Sequence, residues 1–108
     1  MPRSTTNTAE IESKYSRGLE AFNRGELETA AQLLSDVWMA SPDFDDAATL
    51  LTRAYLLLGM AQYSQDKYDV AIQYWRRALD VDPNNLKANR YIRRAEEEIR
   101  RLDRVSNN

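Results

Sequence analysis

Apolar side chains recur along this chain at the three- and four-residue steps of a helix face, and polar residues break the pattern at four places. Residues 11–23 carry Ile11, Tyr15, Gly18, Leu19 and Phe22 at that spacing. Arg24-Gly25 ends the run, and Gly25 suits a left-handed cap. Residues 27–40 set Leu27, Ala30, Ala31, Leu34, Val37 and Trp38 on one face, and Ser41-Pro42 stops them. A third run opens at Asp43, Asp45 and Asp46, where acidic groups suit the positive end of a helix dipole, and continues through Tyr63. It breaks near Gln65-Asp66. Residues 68–81 turn Tyr68, Ala71, Ile72, Trp75, Ala78 and Leu79 inward, and Asp82-Pro83-Asn84-Asn85 forms a turn whose asparagines can cap the next helix. Residues 86–104 make a fifth run with the stripe Ala88, Ile92, Ala95, Ile99 and Leu102. Residues 1–9 are polar and are expected to be a disordered arm, with 105–108 a fraying tail. The expected fold class is all-α, with five helices.

The most apolar stretch is residues 47–63, AATLLTRAYLLLGMAQY. Ala47, Leu50, Leu51, Ala54, Leu57, Leu58 and Ala61 share one broad face, which is an ordinary core stripe. The opposite face starts polar, with Asp45, Thr49, Thr52 and Arg53, and ends apolar, with Leu56, Met60 and Tyr63. A helix apolar on two sides either has neighbours on both or presents one to a partner.

The two halves of the chain correspond at an offset of 41 residues. Gly18 pairs with Gly59, Ala30 with Ala71, Gln32 with Gln73, Pro42 with Pro83 and Ala47 with Ala88. The offset continues into the fifth helix through Leu50/Tyr91, Leu51/Ile92, Ala54/Ala95 and Leu58/Ile99. Small residues let helices approach, and proline closes the second helix of each pair. The chain is two helical hairpins followed by a helix that repeats the third.

With Tyr55, Leu58, Gly59, Ala71, Trp75, Ala78 and Pro83, the second hairpin resembles the tetratricopeptide repeat family, and YDVAIQYWRRALDVDPNN is close to its consensus. The first hairpin matches at Gly18, Ala30, Leu34, Val37 and Pro42, with Lys14 and Arg17 where the family usually has Trp and Leu. The offset of 41 exceeds the family's period of about 34, and the extra residues 45–51 lengthen the third helix at its start. The family's inner aromatic is Ala21 in one repeat and Gln62 in the other, and Phe22 or Tyr63 is expected to rotate inward instead. The resemblance implies a right-handed superhelix over residues 10–104: repeat one at 11–44, repeat two at 45–85 and a capping helix at 86–104.

It also implies a concave groove that binds another protein. By position, the groove residues are Tyr15, Leu19 and Phe22, then Leu56, Met60 and Tyr63, with Glu97, Arg101 and Arg104 from the fifth helix. Helical periodicity independently selects Leu56, Met60 and Tyr63. The expected function is a scaffold taking a peptide or amphipathic helix in an apolar groove. The alternative is a self-associating subunit, possible as a homodimer, that buries the same face, since two repeats and a cap fall below the three usually needed for stability. Some family members clamp a C-terminal carboxylate with Lys and Asn, but those positions here are Tyr15, Leu19 and Leu57.

Composition narrows the chemistry. The chain has neither histidine nor cysteine, which removes the commonest general base, thiol chemistry and thiolate metal sites. No catalytic constellation is expected, and no cofactor or metal. Asp43, Asp45 and Asp46 lack the glycine and distal glutamate of a calcium loop, whose twelfth position would be Ala54. Trp38 and Trp75 are expected in the core, with Met39 facing outward. Residues 86–104 hold seven basic and four acidic residues, a net +3 that leaves −5 elsewhere in a chain of net charge −2. The interleaved glutamates, expected to pair as Arg93–Glu97, Arg94–Glu98, Glu96–Arg100 and Glu97–Arg101, argue against nucleic acid. No apolar run reaches the ~20 residues of a membrane span. A cytoplasmic location is expected if the chain is complete, and none is assigned if it is a fragment.

Overall fold

The computed structural model describes residues 3–106, with side chains for 8–106. These residues form five helices: α1 (Arg3–Asn23), α2 (Leu27–Ala40), α3 (Ala47–Ser64), α4 (Tyr68–Val81) and α5 (Leu86–Ser106). No strand occurs among them, so the fold class is all-α.

Three boundaries differ from expectation. Helix α1 starts at Arg3, inside the segment expected to be a disordered arm. Polar composition signals a lack of burial, not a lack of helix, and once a helix is nucleated each added residue gains a hydrogen bond. Residues 1–2 and 107–108 of the expected arm and tail lie outside the described residues. Helix α5 extends to Ser106, past the expected end at residue 104. Helix α3 opens at Ala47, not at the aspartates. Asp45 sits in the left-handed region at φ 46°, which aspartate tolerates better than most residues. Asp46 serves through its backbone, its carbonyl accepting the Leu50 N–H at 2.9 Å.

The chain divides within α3 into two compact units, the first ending at Ala54 and the second beginning at Tyr55. In the first, α1 packs on α2. Gly18 permits the approach, because a Cβ there would lie 3.0 Å from the Leu34 Cγ. The buried set is Ala21, Ala30, Ala31, Leu34 and Val37, with Ala47, Leu50, Leu51 and Ala54 from the first half of α3. Trp38, expected in this core, is only half-buried at its edge. Lys14 and Asp36 form an ion pair between α1 and α2 at 3.0 Å. Thr52 is buried with its hydroxyl donating to the Ala48 carbonyl at 2.8 Å, so it carries no unmet polar group.

The second unit is built around Trp75 of α4. Its ring lies against Gly59, where an added Cβ would stand 2.2 Å from the indole nitrogen. That nitrogen donates to the Leu56 carbonyl of α3 at 3.1 Å. Ala71, Ile72, Ala78, Ala88, Ile92 and Ala95 complete the buried cluster, α4 packing on α5. Tyr63 stands 6.0 Å from the Trp75 ring and Tyr91 5.2 Å, so Tyr63 packs against the core as expected.

The 41-residue correspondence is visible in the backbone. After α1, the Gly25 N–H donates to the Phe22 carbonyl and Glu26 to Ala21; after α3, Asp66 donates to Tyr63 and Lys67 to Gln62. Helices α2 and α4 end alike, Ser41 donating to Val37 and Asp82 to Ala78.

Candidate functional site

The outward arc of α3 carries Arg53, Leu57, Met60, Ala61 and Ser64, all exposed. Leu57 is 45% exposed and Met60 43%, one turn apart on the same arc. Two assignments change here. Leu57 and Ala61, expected in the core stripe, face solvent. Leu56 and Tyr63, expected to be free for a partner, are half-buried against the Trp75 cluster. Gly59 faces the Trp75 indole, and Leu57, two residues earlier and so about 200° around the helix, faces away from it. Arg53 and Ser64, polar residues in register with Leu57 and Met60, are the sequence signal that marks this arc as solvent-facing.

The other expected groove residues have defined neighbours. Tyr15 packs edge-on against Phe44, centroids 5.4 Å apart. Its hydroxyl ionises less readily than usual because it is partly buried and because Asp45 stands nearby, though a hydrogen bond from the Asp46 backbone opposes this. Phe22 lies beneath the Arg53 guanidinium, 5.3 Å from ring centroid to carbon, a cation–π contact. Leu19 is half-buried.

On α5, Arg101 donates twice to Glu98, from Nε at 3.2 Å and from the terminal nitrogen at 2.8 Å. This pair stabilises the guanidinium, and the Tyr68 and Tyr63 phenols lie close enough to contribute. Glu97, Arg101 and Arg104, the expected α5 residues, are all exposed on that helix. The expected i,i+4 pairs are replaced. Glu98 pairs with Arg101 at i,i+3, and Glu96 forms an ion pair with Arg76 of α4 at 3.6 Å. Cross-helix reach and the near-equal spacing of three- and four-residue steps decide this choice.

Among the described residues no cluster of carboxylates could hold a metal ion, and no helix is long and apolar enough to cross a membrane.

Residues 52–85 match the family model described as tetratricopeptide repeat. No curated protein matches the chain. The matched segment takes in Gly59, Trp75 and Pro83, and it starts directly after residues 45–51, so α3 overhangs the repeat at its start. Repeats of this family generally mediate protein–protein interactions. Over residues 52–85 the chain is similar to a tetratricopeptide repeat.

Proposed function

We propose that this chain is a protein-binding module whose contact surface is the outward arc of α3. Leu57 and Met60 supply the apolar centre, and Leu56 and Tyr63 form its half-buried edge. Arg101 and Glu98 supply charge beside Tyr63. A peptide or an amphipathic helix from another protein would lay its apolar side chains along the arc. In the first unit, Leu19 stands at the position equivalent to Met60, and Tyr15 and Phe22 flank it in sequence register. The observation that carries the reading is the pair of long apolar side chains left exposed one turn apart on an otherwise well-packed helix. Methionine suits such a surface because its unbranched thioether adapts to different partners.

The test places a photo-reactive amino acid at position 60 and irradiates cells producing the chain. The expected product is a covalent adduct with a different polypeptide, lost when Leu57→Glu is added while helical content stays unchanged. Adducts formed only between copies of the chain would establish self-association in place of partner binding. An absence of adducts would remove the arc from consideration.

A further inference from the structure

We infer that a second docking surface, separate from the α3 arc, lies where the start of α4 meets the end of α5, and that it takes a segment presenting an apolar side chain flanked by lysine or arginine. A depression of about 370 Å³ lies there. Its apolar lining is Tyr68, Val70, Ile99 and Leu102. Val70 is 38% exposed and Leu102 42%, and Val105, one turn further along α5, is 62% exposed. Two of the seven large apolar side chains exposed among the described residues, Val70 and Leu102, thus line one depression. Single exposed apolar residues are ordinary on a protein surface, whereas a contiguous group marks a contact.

Charge identifies the occupant. Asp66, Asp69 and Asp103 line the depression against a single cation, Lys67. None of the four ion pairs among the described residues uses these three carboxylates. Asp66 accepts the Tyr68 hydroxyl at 3.0 Å, a neutral partner that leaves its charge uncompensated. The lining itself thus carries three carboxylates to one ammonium, although residues 86–104 carry a net +3. A lining of apolar side chains and carboxylates complements an apolar side chain between cations.

Asp66 supplies a test that leaves the fold intact. It stands at φ 63°, in the position where the first hairpin uses Gly25 at φ 79°. Glycine is the residue this backbone conformation prefers, so Asp66→Gly relieves strain while deleting a lining carboxylate.

The experiment titrates the isotope-labelled full chain with a capped hexapeptide alternating leucine and lysine, followed by amide NMR shifts. The expected shifts map to residues 66–70 and 99–103. The counterpart with glutamate in place of lysine leaves them unmoved. Asp69→Asn with Asp103→Asn weakens binding roughly fivefold, the yield of two lining charges. Asp66→Gly weakens it further while the melting temperature holds or rises. Met60→Glu, on the α3 arc, leaves the titration unchanged, so this inference and the proposed function stand or fall separately. Shifts centred elsewhere, or equal binding of the glutamate peptide, would overturn the inference. A dimer that Leu102→Ser converts to monomer would also overturn it, because the occupant would then be a second copy of the chain.

Discussion

Gly18 and Gly59 hold the same place in the two hairpins but face different neighbours. At Gly59 an added methyl would meet the Trp75 ring, whose nearest atoms lie at 2.2, 2.6 and 2.7 Å, and a buried ring cannot swing aside. At Gly18 it would meet the Leu34 side chain at 3.0 and 3.1 Å, and that side chain can yield by a few tenths of an ångström. Gly59→Ala is therefore expected to cost about 1–3 kcal/mol through overpacking. Gly18→Ala is expected to stay within about 1 kcal/mol of the parent, since alanine also gains ~1 kcal/mol of helix propensity. Denaturant unfolding of the two variants side by side checks the contrast. Both glycines and Trp75 were legible in the sequence as landmarks of close helix approach. The outward turn of Leu57 was not. Leu57 shares a face with Leu50, which is buried, and helical periodicity does not say where along a face the covering neighbours end.

The helices differ in how their ends are satisfied. Helices α2 and α4 begin at Glu26 and Lys67 with no side-chain cap, relying on the backbone turn before them. Helix α5 is capped by Asn85, whose side-chain oxygen accepts the Ala88 N–H at 2.9 Å and whose amide donates to the Asp82 carboxylate at 3.0 Å. Asn85→Ala should destabilise the protein by about 1 kcal/mol, read as a lower unfolding midpoint, because it removes an N-cap. The equivalent residue before α3 is Phe44, which instead supports Tyr15. The number of helices and the limits of α2 and α4 were legible, since glycine, proline and asparagine punctuate them. The starts of α1 and α3 were less so. Nothing in residues 3–9 forbids helix, and an aspartate can serve equally as a first-turn residue or as a left-handed turn residue.

For the whole molecule, the missing histidine and cysteine leave no side chain whose ordinary titration falls near neutrality. Besides Arg101, which stays charged throughout, the groups with a defined shift are two tyrosines. Tyr68 is raised chiefly by its hydrogen bond to Asp66, and Tyr15 chiefly by burial. A raised value means the fold favours the neutral phenol. That contribution is complete below about pH 10 and is lost as pH climbs through the folded-state values. The melting temperature should be level between about pH 6 and 9 and fall above about 10, as a calorimetric pH series would record. The division of the chain within α3 has an optical counterpart. The two tryptophans fall one to each unit, Trp38 half-exposed in the first and Trp75 enclosed in the second with its N–H bound to Leu56. Their emission should separate, with the Trp75 band shifted to the blue. Trp38→Phe and Trp75→Phe would each leave one lamp lit. Whether the two dim at one temperature or two would then reveal if a helix shared by both halves makes them melt as one.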